Sequence, residues 1–90
     1  MHRFVIERDI PSVGSFDCNQ LREASKASNT ALSELAPRVQ WEHSYVANDK
    51  TFCVYLAEDE AAIQDHAKLS GFPANRITRI SSMIDPTTAN

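Results

Sequence analysis

The stretch that most constrains the fold of this chain runs from residue 39 to residue 57, with the sequence VQWEHSYVANDKTFCVYLA. Bulky and polar residues alternate along it, stop at ANDK (residues 47–50), and then alternate again. This pattern predicts two antiparallel strands joined by a short turn. The conformation of this hairpin decides which reactive side chains can act together. These are Trp41, His43, Tyr45, Cys53 and Tyr55.

The pairing register of the hairpin is left open by the sequence, and a slip of one residue exchanges the two faces of the sheet. A turn of two or four residues would pair Ser44 with Cys53. A turn of odd length, or a bulge, would instead place Tyr45 opposite Cys53 and His43 opposite Tyr55. We favour the odd register because it groups an aliphatic set for a helix to cover, namely Phe52, Val54, Leu56 and Val46.

A helix is expected to follow the first strand, which is predicted at His2–Ile10. Asp17 and Gln20, three residues apart, fit a capping box at the start of this helix. Pro37 disfavours helical geometry at Ala36, so the helix is expected to end there.

A second helix and a last strand are expected after the hairpin. The acidic residues 58–60 suit the positive end of a helix dipole. Gly71 is well placed to end that helix in the left-handed conformation, and a strand-like alternation follows at residues 76–85. The order β-α-β-β-α-β predicts one domain over residues 1–90 with an α+β, ferredoxin-like fold. Such a fold has a four-stranded antiparallel sheet, in the spatial order 4-1-3-2, with two helices on one face.

The uncovered face of such a sheet is expected to be too apolar for water alone. We therefore expect a homodimer in which two sheets face each other and enclose a cavity, a dimeric α/β-barrel-like assembly. The alternative is a monomer whose tail or loops shield the sheet. The predicted members of this face are Val5, Glu7, Asp9, Trp41, His43, Tyr45, Cys53, Tyr55, Ile77, Arg79, Ser81 and Met83.

An apolar cavity with a few polar groups is typical of a small-molecule site. His43 is the candidate general base, with Tyr55 as its catalytic partner, and either Tyr55 or Tyr45 as a hydrogen-bond donor. Glu7, Asp9 and Arg79 are candidates for binding or polarising a charged group of a ligand or cofactor. In the favoured register His43, Cys53 and a carboxylate such as Glu7 could converge as metal ligands, because imidazole and thiolate suit nickel, zinc or copper. The alternative for His43 is a purely structural hydrogen bond to Tyr55 or Glu7.

Composition argues against several other functions. A net charge of −3 and scattered basic residues do not suit nucleic-acid binding. No apolar run approaches the roughly 20 residues of a membrane span, and no signal-peptide pattern is present. Two cysteines without CxxC spacing favour a reduced, cytoplasmic protein. With only two glycines, the chain has no phosphate-binding loop.

Several segments stand out when taken together, namely FVIERDIP (4–11), WEHSYV (41–46), FCVY (52–55), HA (66–67) with GFPA (71–74), and IDPTT (84–88). As a set they resemble a bacterial family of short proteins that is similar to the small nickel-binding, nickel-responsive ferredoxin-like proteins of actinobacteria. The resemblance covers nearly the whole chain, and it implies a dimeric ferredoxin-like fold and binding of a divalent metal such as nickel. It departs at Arg8-Asp9, where those relatives carry histidines, and arginine does not ligate metals at neutral pH. His43 and Cys53 therefore remain the expected ligands.

Two functions of different classes follow from these patterns. The first is a small cytoplasmic homodimer that binds a divalent metal or small ligand on the open sheet face. The alternative is a small enzyme of the monooxygenase- or isomerase-like dimeric α/β-barrel type. In that enzyme His43 would be the general base, and Tyr55 or Arg79 would stabilise developing negative charge. A purely structural role is the third expectation, and access of His43 to a substrate-sized pocket separates the enzyme from the others.

Overall fold

A computed structural model describes residues 1–90 as an antiparallel sheet with helices on one face. Short 3-10 turns lie at Val13–Ser15 and Pro86–Ala89. The main elements are β1 (His2–Asp9), α1 (Cys18–Leu35), β2 (Val39–Val46), β3 (Lys50–Ala57), α2 (Glu60–Ser70) and β4 (Arg76–Arg79).

The sheet has the strand order β2-β3-β1-β4, and all three neighbouring pairs are antiparallel. This order and the two helices confirm the predicted ferredoxin-like α+β fold. Neither helix is long and apolar enough to cross a lipid bilayer. The core lies between the helices and one face of the sheet, and its buried apolar members are Phe4, Ile6, Leu35, Val39, Cys53, Tyr55, Ala57, Ala62 and Ile63.

The helix boundaries follow the predicted signals. The Asp17 carboxylate accepts from the Gln20 backbone N–H at 2.8 Å, and the Gln20 side chain accepts from the Asp17 N–H at 2.9 Å. These two bonds satisfy donors that the first helical turn leaves free. α1 ends at Leu35, before Pro37. Gly71 ends α2 with φ of 79°, the left-handed conformation that glycine adopts without steric cost.

The favoured odd register of the hairpin is wrong. Val46 pairs with Thr51 across four intervening residues, and Ser44 consequently lies opposite Cys53. A β-bulge then falls between Trp41 and His43, where β2 carries one residue more than β3. Trp41 lies opposite Tyr55 and His43 lies opposite Val54.

The burial argument for that register failed because the helices do not cover the aliphatic set. They cover Cys53 and Tyr55, and the helix residues buried nearby include the polar Ser28 and His66. A hydroxyl and an imidazole can hydrogen-bond beneath the sheet, so that side of the core accepts polar groups.

The last strand is shorter than predicted. β4 pairs with β1 only from Arg76 opposite Glu7 to Arg79 opposite Phe4. One further backbone bond follows, from Ile80 N–H to the Arg3 carbonyl at 2.8 Å. In this register His2, the first residue of β1, lies opposite position 81, so residues beyond 81 have no strand to pair with.

Candidate functional site

The face of the sheet that the helices leave uncovered, called here the open face, has an apolar strip along its centre. The strip consists of Val5 on β1 and Phe52, Val54 and Leu56 on β3, the two central strands. All four residues are exposed or only half-buried in the single subunit. The expected apolar open face is therefore present, although several of its members differ from those predicted.

His43 and Tyr45 lie on the open face of the edge strand β2, as predicted. Both side chains are exposed, Tyr45 to 62%. Their rings meet edge to face, with centroids 5.1 Å apart and an angle of 82° between planes. They flank the apolar strip, because His43 lies opposite Val54 and Tyr45 lies opposite Phe52.

The bulge brings a carboxylate to the same face as His43. Glu42 is the surplus residue of the bulge, and its Oε1 accepts from Nε of Arg3 at 2.7 Å, across β3. The hydrogen bond and the charge of Arg3 hold the pKa of Glu42 below its usual range, and a protonated His43 acts in the same direction. The chain therefore presents, side by side on the open face, one imidazole and one ionised carboxylate that is paired with Arg3.

Glu7 also lies on the open face, where basic residues surround it. Lys50 Nζ is 3.2 Å from Glu7 Oε1, and Arg76 Nε is 3.8 Å from Oε2. Lys50 is also 3.7 Å from Asp9. These partners neutralise much of the charge with which Glu7 was expected to bind a ligand.

The predicted metal pair does not converge in one subunit. His43 is exposed on the open face, whereas Cys53 is 5% exposed beneath the helices. The reason is the register, which pairs Cys53 with Ser44 on the helix-covered face. Nowhere in the structure do three or more His, Cys, Asp or Glu side chains gather as a metal site. The residues of one subunit thus do not by themselves fit a metal ion.

The predicted catalytic pair is also divided by the sheet. Tyr55 is buried opposite Trp41 under the helices, while His43 is on the other side. Within one subunit, the Tyr55 hydroxyl therefore cannot support a reaction in which His43 is the base.

Arg79 does not join Glu7 on the open face, contrary to prediction. It pairs with Phe4 and so lies on the helix-covered side, at the outer edge of the sheet. There it is 2.9 Å from Nδ1 of His2, next to the acidic residues 58–60.

A polar cluster that sequence reasoning did not identify as a site lies between the sheet and the helices. Arg8 is only 2% exposed, although it carries a charge. Its Nη1 donates to the carbonyls of Phe72 at 3.4 Å and Pro73 at 2.9 Å. Its Nη2 is 3.4 Å from the Tyr55 hydroxyl and 3.5 Å from Nδ1 of His66. The guanidinium thus has only uncharged oxygen and nitrogen partners.

The protonation state of His66 follows from its surroundings. Burial, reinforced by the positive charge of Arg8, lowers its pKa from 6.5 to about 4. Because the neutral ring turns Nδ1 toward a donor, its proton belongs on Nε2, which donates to Ser28 Oγ at 3.2 Å. Burial likewise raises the pKa of Tyr55, so its hydroxyl keeps its proton at neutral pH. Arg8 is therefore the only charge in the cluster.

Arg8, Ser28 and Tyr55 of this cluster line a cavity of about 250 Å³ between the sheet and the first half of α1. Leu21, Ala24 and Ser25 line it from the helix. Trp41 lines it from β2, where its Nε1 donates to Ser44 Oγ at 2.9 Å.

The sequence carried one signal for this cluster. Alternation along the first strand places Arg8 on the same face as Phe4 and Ile6, the face that becomes the core. A charged residue in phase with core residues is uncommon, because an isolated buried charge is costly. The position of Arg8 in the alternation of β1 therefore indicates a buried charge. Its contact with His66 depends on how α2 packs on the sheet, which the sequence does not show.

Comparison with known proteins gives a family and a fold. The sequence model of the family described as "Nickel responsive protein SCO4226-like" matches residues 4–80. The crystal structure of SCO4226 from Streptomyces coelicolor A3(2) superposes with a TM-score of 0.76. It shares 16% sequence identity, and the match covers 91% of this chain and 99% of that one. No curated protein sequence matches the chain. At this identity the structural likeness shows a common fold.

Proposed function

Because the chain belongs to the SCO4226-like family of nickel-responsive proteins, we propose that it is a small cytoplasmic homodimer that binds a divalent metal ion, nickel first among them. The ion would be held between the open faces of two subunits. The observation that carries this proposal is the exposed His43 on the open face, beside the carboxylate of Glu42. The free thiols Cys18 and Cys53 suit a reducing compartment.

The apolar strip of the open face supports the dimer. Exposure of Phe52, Val54 and Leu56 to water is unfavourable, and a second subunit would bury all three side chains. A chain of 90 residues also buries only a modest share of its surface alone. The commonest closed assembly of identical chains is a twofold dimer, in which the same patch of each subunit enters the interface.

The distribution of metal donors supports a shared site. One subunit holds no group of three donor side chains, whereas a twofold interface brings every donor of the open face in duplicate. Imidazole is a suitable ligand for nickel, and a carboxylate is an acceptable one. His43 is the only histidine on this face, since His66 is buried and His2 lies at the opposite side of the sheet.

Isothermal titration with nickel chloride tests the proposal. His43→Ala should weaken nickel binding by at least roughly tenfold, the smallest effect usually seen even for outer partners of a metal site. His2→Ala is the matched control, because it removes another exposed histidine that is not on the open face. Wild-type affinity in His43→Ala, or a larger loss in His2→Ala, would remove His43 from the site.

A stoichiometry measurement distinguishes a shared site from one site in each chain. A metal held between two subunits should titrate at one ion for two chains, and it should raise the dimer fraction in sedimentation velocity. One ion per chain with no effect on assembly would contradict the shared site.

A further inference from the structure

The cavity beneath α1 differs from the open face in shape and in charge. It lies between the sheet and the helix and opens to the surface, and most of its lining is apolar, including Val13, Phe16, Leu21 and Trp41. Arg8 is the only charged residue among those that line it. The cavity therefore combines an apolar body with one positive charge and no negative charge.

Arg8 has no counter-ion within the protein. Every ion pair of the structure is formed by another basic residue, namely Arg3, Lys26, Arg38, Lys50 or Arg76. Buried charges in proteins are normally paired, because moving an unpaired charge out of water is unfavourable.

The hydrogen bonds of Arg8 are mostly long, although no buried side-chain nitrogen of the protein lacks a partner. Only the bond to the Pro73 carbonyl, at 2.9 Å, is close to ideal length. The contacts of Nη2 with Tyr55 and His66 measure 3.4 and 3.5 Å, at the outer limit of a hydrogen bond. A carboxylate would offer this guanidinium shorter, charge-assisted bonds than its present neutral partners do.

We infer that this cavity is a binding site for a small carboxylic acid with an apolar body, whose carboxylate pairs with Arg8. The cavity walls would cover the aromatic ring or short alkyl chain of the acid. Arginine suits this role because its planar fork matches the two oxygens of a carboxylate. A metal cation is unsuited to the same place, since the guanidinium would repel it.

The volume limits the size of the acid. A dry apolar cavity of about 150 Å³ accommodates benzene. A cavity of about 250 Å³ has room for a ring or a six-carbon chain together with a carboxylate. It lies below the roughly 300–1,000 Å³ of most drug-sized pockets, so the part of the ligand that it covers is small.

Titration with two matched pairs of probes tests this inference. Sodium benzoate is compared with benzyl alcohol, and sodium hexanoate with 1-hexanol, all in buffer containing EDTA so that metal binding does not contribute. Trp41 is the single tryptophan and lines the cavity, so its fluorescence reports on occupancy directly. Each acid should give a saturable change with an affinity at least tenfold above that of its alcohol. Equal binding of acid and alcohol, or no binding of either acid, would overturn the inference.

Variants of the cavity locate the site. Arg8→Gln should lower benzoate affinity at least tenfold and leave that of benzyl alcohol nearly unchanged. Arg22→Gln is the matched control, because Arg22 is an exposed arginine on α1 and does not line the cavity. An equal loss in the control would point to a general effect of charge.

A second variant, which fills the cavity and keeps Arg8, tests the inference even if Arg8→Gln does not fold. Ala24→Leu retains the guanidinium and places a larger side chain in the cavity, so it should abolish benzoate binding. If Ala24→Leu folds and binds benzoate with wild-type affinity, the acid binds elsewhere and the inference is wrong. If Arg8 only ties β1 to the chain after α2, Arg8→Gln changes stability and no acid binds the wild type.

Discussion

The Arg8 guanidinium lies 3.5 Å from Nδ1 of His66 in the core, and this contact determines where the imidazole carries its proton. A donor faces Nδ1, so the neutral ring is protonated at Nε2, toward Ser28. The same positive charge opposes a second proton on the ring. A histidine that is 1% exposed is thereby kept neutral, and folding becomes linked to pH.

We predict that His66 makes the protein less stable in mild acid. Its pKa is about 4 in the folded chain and near 6.5 in the unfolded one. Above pH 6.5 the ring is neutral in both states. Between about pH 6.5 and 4 the unfolded chain binds a proton that the folded chain does not, so the free energy of unfolding falls as the pH is lowered, by roughly 3 kcal/mol in total. Urea unfolding at pH 7 and pH 4.5 measures this loss.

The control for that prediction is His66→Gln, which keeps hydrogen-bonding capacity and removes the titration. Other groups also lose stability in acid, so the quantity that matters is the difference between the two pH slopes. His66→Gln should flatten the slope, and His2→Gln should not. Identical slopes in wild type and His66→Gln would show that His66 does not titrate as inferred.

The two glycines should respond differently to alanine. Gly71 has φ of 79° and open space around it, so Gly71→Ala meets only backbone strain, about 1 kcal/mol. A Cβ on Gly14 would lie 2.7 Å from both the Ala47 carbonyl oxygen and the Asn48 Cα. Backbone atoms cannot move aside easily, so Gly14→Ala should cost more, roughly 2–3 kcal/mol. Chemical denaturation of both variants checks the order, and an equal or reversed loss would contradict the close approach of the 13–15 turn to the hairpin.

Val54→Asp should dissociate the proposed dimer. Val54 lies at the centre of the apolar strip, opposite both Val5 and His43. A carboxylate there would be desolvated in a face-to-face interface and would lie close to its own copy. Leu69→Asp on the exposed side of α2 is the control and should leave assembly unchanged. Sedimentation velocity gives the mass, and a Val54→Asp dimer would argue against this face.

The two thiols should differ in reactivity, and the difference tests the register. Cys18 is exposed, and Cys53 is buried under the helices. Iodoacetamide should modify Cys18 in the native protein and Cys53 only after denaturation, as mass spectrometry would show. The measurement is best made in Val54→Asp as well. If Cys53 lay on the open face, loss of a dimer would make it reactive.

The sequence predicted the helices and the strand order better than it predicted the faces. Asp17 with Gln20, and Gly71, mark helix ends through local chemistry, and such signals can be read from neighbouring residues. Strand pairing depends instead on residues far apart. The bulge at Glu42 changes the phase of β2 by one residue, and no single residue type marks a bulge of this kind.

The site predictions inherited the error in register. His43 and Tyr45 lie on the open face as predicted, because the observed four-residue turn and the predicted register place these two β2 residues on the same face. The prediction for Cys53 and Tyr55 is wrong, because it assigns the aliphatic residues Phe52, Val54 and Leu56 to the core in their place. The face that carries Cys53 and Tyr55 is instead covered by helices that contribute polar side chains. Arg8, Ser28 and His66 hydrogen-bond one another there, and they come from three separate elements.

The bulge in β2 has one more effect, on how separate molecules meet. β2 is an outer strand of the sheet, and a straight outer strand offers unpaired backbone groups to any other extended chain. A bulge such as the one at Glu42 interrupts the regular spacing of backbone groups along an edge strand. A strand of another molecule therefore cannot pair with β2 in one continuous register. The bulge therefore disfavours edge-to-edge pairing with other chains, the route to fibrous aggregates. It does not obstruct the open face, which the proposed dimer would use.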